Sequence, residues 1–250
     1  MLSVADHVAA IRGEGDLIVT AVRRADLDAM VPTCPEWTVR ELIHHVGRIH
    51  HWAAANVEYG RPTPLSDEES AAAWGDMPDD ADVADWYRAA NQRLVRALTT
   101  APAGVQCWSF LPAPSPLAFW ARRQAHETAI HRIDAEGAAT PEPSPVAEAF
   151  ALDGIDELMC GFYNRGSGRL RSEIPRTLAV TAGGQTWRVH IGPEGPRGER
   201  GEGPSDCAVE GKADVVYRAL WNRVRLTDLN VTGDAGVLAL WTEKATIRWS

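Results

Sequence analysis

The stretch His126-Glu127-Thr128-Ala129-Ile130-His131 places one glutamate and two histidines on a single predicted helix. It is close to the zinc-protease pattern H-E-x-x-H, but its two histidines are five residues apart instead of four. Five residues correspond to about 140° around a helix of 3.6 residues per turn, so the two histidines cannot both face one ion. Glu127 and His131 are separated by about 40° around the axis and can share a face.

The helix that carries this stretch runs from about Leu117 to Glu136, and its apolar residues indicate a buried face. That face is marked by Leu117, Trp120, Ala121, Gln124 and Ala135. Glu127 and His131 fall on or beside it, whereas His126 falls on the opposite side with Arg122. Because a buried carboxylate is costly unless it is paired, Glu127 needs a partner. A metal ion is one partner that satisfies it.

A second helix supplies a third candidate ligand. The capping box Thr38-x-x-Glu41 opens a helix that reaches about Tyr59. His45 lies on the apolar face of this helix, together with Leu42, Ile49 and Trp52. Two histidines and a carboxylate on facing helices are typical of metal sites in helical bundles. This donor set suits zinc, with a fourth position left open for water or substrate.

Each of these residues also has an ordinary structural interpretation. His45 alone on an apolar face is more often a hydrogen-bonded core residue, and Glu127 with His131 alone could be a surface pair. The metal interpretation therefore rests on the two sets facing one another. The other histidines near these helices are predicted to be solvated or to lie behind the ligands: His44, His50, His51 and His126. Cys34 is predicted to be a turn residue rather than a nucleophile.

The wider sequence predicts an α+β protein whose N-terminal part is an up-and-down helical bundle. Apolar residues recur at helical spacing over about 4–22, 38–59, 83–97, 117–136 and 145–162. No strand is predicted before residue 150. Pro32 to Pro35 is expected to be a turn, and about Arg61 to Asp80 a Pro- and acid-rich connector.

The pattern changes near Gly166, which predicts a domain boundary between about residues 163 and 175. The bundle is assigned to residues 1–165 and a small second domain to residues 170–250. Two apolar runs flank Gly183-Gly184 and predict a β-hairpin. The segment after it, Gly192 to Pro204, is predicted to be a loop. A short strand at Cys207, a helix from Ala213 to Arg223 and a last helical stretch through Trp241 are predicted to follow.

Composition limits the classes of partner. The 250 residues contain 25 Lys and Arg against 34 Asp and Glu, a net charge of −9, which argues against a nucleic-acid surface. No apolar run approaches a membrane span, and the N-terminus does not resemble a signal peptide. The four cysteines contain no CxxC pair. We therefore expect a soluble cytoplasmic protein without a nucleic-acid or membrane partner; the oligomeric state is left open.

Two segments carry a family resemblance. Residues 31–46, VPTCPEWTVRELIHHV, and residues 125–136, AHETAIHRIDAE, resemble two motifs of the maleylpyruvate isomerase family of mycothiol-dependent enzymes. The resemblance covers nearly the whole chain and implies a DinB-like four-helix bundle with a smaller C-terminal α/β domain. It places the metal ligands of the family on His45, Glu127 and His131. It also implies an active-site arginine, for which Arg223 is the best match and Arg225 the alternative.

The resemblance implies Zn²⁺ or another divalent metal, and mycothiol as the thiol cosubstrate. A metal ion favours the deprotonated form of a bound thiol, and the thiolate is the nucleophile. It would attack a small electrophile, giving cis–trans isomerisation or S-transfer. Arg223 could bind a carboxylate of that electrophile or form an ion pair between domains. A zinc-water hydrolase and a non-catalytic metal- or ligand-binding stress protein remain the alternatives.

Overall fold

The computed structural model of the chain describes residues 2–165 and 169–245, and its mixture of helices and strands confirms the α+β class. The chain forms two compact units that divide between Ser144 and Pro145. The boundary therefore lies about 20 residues before the predicted interval of 163–175. None of the helices in the described ranges is long and apolar enough to cross a membrane.

The N-terminal unit is built mainly from helices, most of which begin where the sequence predicts. They are α1 (Val4–Val22), α2 (Val39–Tyr59), α3 (Asp67–Trp74), α4 (Val83–Thr100) and α5 (Pro116–Ala139). Both capping-box residues bond as predicted at the start of α2, where the Thr38 side chain accepts from the backbone N–H of Glu41. The short helix α3 occupies part of the predicted connector, because Ser66 and Glu69 form a further capping box.

The four long helices pack around a common core. Helices α1 and α2 each contact both α4 and α5. Each of α1 and α2 therefore lies between α4 and α5. The expectation of no strand before residue 150 is wrong: β1 (Met30–Val31) and β2 (Cys34–Thr38) form a short antiparallel hairpin. The hairpin forms because Val31 is fully buried in the core, which holds the two arms of the predicted turn together.

Helix α5 is buried around nearly its whole circumference. Every residue from Arg123 to Glu136 is buried, including charged ones. Arg132 is compensated by ion pairs with Glu14 and Glu136. A division of α5 into a buried and a solvent-exposed face is therefore wrong, because this helix packs against α1 and α2 at once.

The C-terminal unit contains a five-stranded sheet in the order β5-β4-β3-β6-β7. Its strands are β3 (Arg176–Ala182), β4 (Gln185–Gly192), β5 (Gly195–Arg200), β6 (Cys207–Gly211) and β7 (Asn230–Gly233). The predicted hairpin is confirmed as β3 and β4, which pair antiparallel, and β6 runs parallel to β3. The predicted loop from Gly192 to Pro204 instead contains β5. Its glycines and Pro196 are tolerated because β5 is an edge strand paired only with β4.

Helices complete the second unit and explain the position of the boundary. They are α6 (Glu148–Asp156), α7 (Ala213–Leu220) and α8 (Ala235–Lys244). Helix α6 continues through a π-helical turn and a 3₁₀ turn to Asn164 and packs against α7. The indole Nε1 of Trp187 donates to Asp156 Oδ1 at 3.0 Å, which attaches the end of α6 to the sheet. The helix predicted over 145–162 therefore belongs to the second unit.

Two glycines of α1 provide a matched test of packing between α1 and α4. A Cβ on Gly15 would overlap the buried side-chain amide of Asn91, whose Nδ2 donates to the Ile11 carbonyl, whereas a Cβ on Gly13 would meet nothing within 4 Å. We expect Gly15→Ala to lower the free energy of unfolding by about 1–3 kcal/mol through overpacking. Gly13→Ala should raise it by up to about 1 kcal/mol. Urea denaturation checks both, and equal effects would contradict the close contact.

Candidate metal centre

The three predicted ligands come together between α2 and α5. Nε2 of His45 lies 3.4 Å from Oε1 of Glu127, and Nε2 of His131 lies 3.2 Å from the same oxygen. One donor atom from each residue lies within 4.8 Å of the other two. The i,i+4 spacing of Glu127 and His131 on α5 aligns their side chains, and His45 faces them from α2.

The centre is mostly shielded from solvent, with one more accessible side. The side chains of Glu127 and His131 are 6% and 9% exposed, whereas that of His45 is 21% exposed. Burial strengthens the electrostatic interactions of the group, since fewer water molecules screen them. Solvent therefore has its best access to the centre from the His45 side.

His131 is held by a second carboxylate that the sequence analysis did not identify. Its Nδ1 lies 2.9 Å from Oδ2 of the fully buried Asp134. Burial lowers the pKa of His131, but hydrogen bonds with Asp134 and Glu127 outweigh burial and raise the pKa to about 9. The sequence could have indicated this pair, because His131 and Asp134 are three residues apart and residues at i and i+3 are neighbours on a helix.

Glu127 is paired with a buried cation as well as with the two histidines. Its second oxygen, Oε2, accepts from the buried Arg123 guanidinium at 3.3 Å. Burial disfavours the charged form of Glu127, but the hydrogen bonds from His131 and His45 and the charge of Arg123 outweigh it. They hold the pKa of this carboxyl well below its usual value. Glu127 therefore stays ionised in the core.

The hairpin of β1 and β2 covers one side of the centre. The ring of Trp37 lies 4.7 Å from the ring of His45 and 6.0 Å from that of His131, measured between centroids. From the turn, Thr33 Oγ1 donates to Asp134 Oδ1 at 2.6 Å, and the Cys34 thiol lies 3.7 Å from Oδ2. The predicted turn thus contacts the carboxylate behind His131, and Trp37, two residues after it, contacts both histidines.

The other histidines divide into two groups. His44 and His51 are half-buried beside the Trp86 ring. Of the two alternatives predicted for His50 and His126, solvation is wrong, because both are fully buried. His126 points away from the three donors and lies 6.1 Å from the ring of His7, between centroids. Neither belongs to the triad.

The predicted arginines lie after α7 in the C-terminal unit. Arg223 is half-buried, and its Nη1 donates to the Trp221 carbonyl at 2.6 Å. Arg225 is largely exposed, and its Nη2 lies 3.0 Å from Asp228 Oδ1. Arg223 is therefore the more buried of the two.

The residues of the centre fit a divalent metal ion. Two imidazole nitrogens and a carboxylate oxygen are ordinary ligands of zinc. The bond between Nδ1 of His131 and Asp134 directs the Nε2 of this ring toward Glu127. Such a carboxylate behind a ligating histidine is typical of metal sites, where it fixes the ring and raises its basicity.

Comparison with protein families gives a match over both units. The model of the mycothiol maleylpyruvate isomerase N-terminal domain matches residues 8–136, about half of the chain. The chain belongs to this family. The model of the corresponding C-terminal domain matches residues 149–240, so the two matches lie on either side of the structural boundary. A comparison with curated proteins finds no match.

Two solved structures share the fold of this family member. One is the crystal structure of the mycothiol-dependent maleylpyruvate isomerase, with a TM-score of 0.62 and 16% sequence identity. The other is a variant of that isomerase in which one histidine is replaced by alanine, with a TM-score of 0.61 and 15% identity. Each match covers 92% of this chain and 93% of the solved chain. At this identity the likeness shows the fold alone.

The buried His50 beside the centre predicts a specific acid sensitivity. Its Nε2 lies 3.0 Å from Thr128 Oγ1, which itself donates to the Gln124 carbonyl, so the imidazole donates to Thr128. Burial lowers the pKa of His50 to about 3. The unfolded chain, with a pKa of about 6.5, takes up this proton first, so stability is lost as the pH falls below about 6.5.

Between pH 7 and pH 5 this histidine alone should remove about 2 kcal/mol from the free energy of unfolding. In His50→Gln, urea denaturation at the two pH values should show a pH-dependent loss smaller by that amount. The control His190→Gln, at a half-buried histidine of β4, should keep the wild-type dependence. An unchanged dependence in His50→Gln would show that His50 is not the neutral buried group.

Proposed function

We propose that this protein is a divalent-metal- and mycothiol-dependent enzyme that activates a thiol for attack on a small electrophile. The reaction is cis–trans isomerisation or S-transfer. The observation that carries this proposal is the convergence of His45, Glu127 and His131 in the domain that matches the isomerase family. The solved relative is a mycothiol-dependent maleylpyruvate isomerase, which supports the choice of thiol and reaction.

His45, Glu127 and His131 are the residues that would hold the metal ion. When bound, Zn²⁺ or a similar ion lowers the pKa of a thiol that coordinates it. Asp134 orients the imidazole of His131 through Nδ1, and Arg123 holds Oε2 of Glu127. The Trp37 ring covers both histidines and reduces the access of water to them. The more accessible His45 side is where the two substrates would enter.

Arg223 is proposed to bind a carboxylate of the electrophile. A guanidinium forms two parallel hydrogen bonds with a carboxylate, which gives orientation as well as attraction. The hydrogen bond from its Nη1 to the Trp221 carbonyl supports this role, because it limits the motion of the side chain. Arg225 serves as the comparison, since it pairs with Asp228 at the surface.

Replacement of His131 tests the metal centre. In His131→Ala one of three protein ligands is lost, so the affinity for Zn²⁺ should fall by more than about 10–100-fold, the usual cost of losing only an outer-shell partner. The helical circular dichroism should remain, since the packed helices do not depend on the ion. Metal titration and turnover of maleylpyruvate with mycothiol measure the two effects, with His190→Ala on β4 as the control outside the centre.

Three other outcomes separate the alternatives. Equal thiol-dependent turnover in His131→Ala, or turnover unchanged after chelation, would contradict the metal-thiol mechanism. Activity on an ester or amide panel without any thiol would instead identify a hydrolase using metal-bound water. Metal binding without turnover in either assay would identify a non-catalytic binding protein.

Replacement of Arg223 tests carboxylate binding. Arg223→Met keeps the length of the side chain but removes its charge and donors, so KM for a carboxylate electrophile should rise by about 10-fold or more, the range of a charged hydrogen bond. The affinity for Zn²⁺ should not change. Arg225→Met should leave KM near the wild-type value. A KM effect confined to Arg225→Met would reverse the assignment of the two arginines.

A further inference from the structure

Two pairs of side chains face each other across the interface between α2 and α5. His45 meets Glu127 at 3.4 Å, and the rings of Trp52 and Trp120 meet with centroids 5.0 Å apart. Trp52 follows His45 by seven residues, and Trp120 precedes Glu127 by seven. Seven residues are about two helical turns, so the indole pair lies about 10 Å along the interface from the metal centre.

Gln124 lies on α5 between these two pairs. Trp120, Gln124, Glu127 and His131 fall within about 60° of one another around the helix and share one face. The Gln124 side chain is buried, with the residue 2% exposed. Among the residues that the structure describes, none donates a hydrogen bond to its Oε1. A buried acceptor without a donor is destabilising unless a ligand or a water molecule supplies one.

Aromatic rings surround the indole pair and remain partly accessible. Trp108 lies 6.0 Å from Trp52 and receives a 2.7 Å hydrogen bond at its carbonyl from Trp120 Nε1, and Phe110 lies 5.6 Å from Trp108. Trp52, Trp108 and Phe110 are half-buried, whereas Trp120 is fully buried. The outer rings are therefore partly open to solvent, and flat π systems prefer such aromatic surroundings.

We propose that Gln124 and the Trp52–Trp120 pair form the binding subsite for the electrophile. The occupant is a planar, unsaturated molecule that carries a hydroxyl or amide donor. Its flat body packs against the indoles, and its O–H or N–H donates to Oε1 of Gln124. This proposal rests on the proposed function: Gln124 lies about one helical turn from Glu127, so a molecule that spans from the indoles past Gln124 would reach the activated thiol.

The subsite can be tested without turnover by using three small probes. Phenol has a flat ring and a donor, anisole has the ring without the donor, and cyclohexanol has the donor without the ring. Protein labelled with 5-fluorotryptophan reports binding by ¹⁹F NMR, and Trp52→Phe and Trp120→Phe assign the relevant signals. We expect phenol to shift both signals and to bind about fivefold more tightly than anisole, the effect of one neutral hydrogen bond. Cyclohexanol should bind more weakly than phenol.

Gln124→Leu removes the acceptor and should abolish the difference between phenol and anisole while leaving the affinity for anisole unchanged. Gln92→Leu, an exposed position on α4, is the matched control and should retain the difference. Equal affinities of the wild-type protein for phenol and anisole would overturn the proposal. Phenol-induced shifts confined to indoles outside the subsite, such as Trp74, would also overturn the proposal. The wild-type comparison decides the question even if Gln124→Leu fails to fold.

A parallel Zn²⁺ titration separates this proposal from the proposed function. Phenol selectivity in a protein that binds no Zn²⁺ would support the subsite and overturn the metal-dependent function. Zn²⁺ binding and thiol-dependent turnover without any phenol shift at Trp52 and Trp120 would overturn the subsite alone.

Discussion

The N-terminal unit depends on the ion pairs and hydrogen bonds of the buried Glu127 carboxylate. The carboxylate remains charged in the core because His45, His131 and Arg123 surround it with donors and positive charge. His45 comes from α2, and Arg123 and His131 lie on α5 one turn before and one turn after Glu127. Pairing this one carboxylate therefore determines how the two helices face each other. The same arrangement brings together three donor atoms of the kinds that bind a divalent ion.

The short hairpin connects this centre to the chain that precedes α2. Burial of Val31 holds the hairpin on the helices, which brings Thr33 to Asp134 and Trp37 to both histidines of the candidate centre. Asp134 in turn directs the ring of His131. The family motif that spans the hairpin and the first turns of α2 is thus a single structural unit. It carries one candidate ligand, His45, and contacts His131 and the carboxylate behind it.

Much of the architecture could be predicted because its signals are local. Capping boxes mark the starts of α1 and α2, and Gly183-Gly184 marks the turn between β3 and β4. The errors concern features that depend on distant partners. Strand β5 contains glycines and a proline and becomes a strand only by pairing with β4. The domain boundary lies earlier than predicted because α6 packs against α7, which is far along the chain.

The sequence by itself determined the types and spacing of the candidate ligands. The i,i+4 spacing of Glu127 and His131 aligns them on any α-helix, and Thr38 with Glu41 starts the helix that carries His45. Only the tertiary structure decided what surrounds them. Helical periodicity distinguishes a buried from an exposed face when a helix has one neighbour, but α5 has neighbours on both sides and is buried throughout. Burial, hydrogen-bond partners and pKa values depend on residues remote in sequence, and folding alone brings those together.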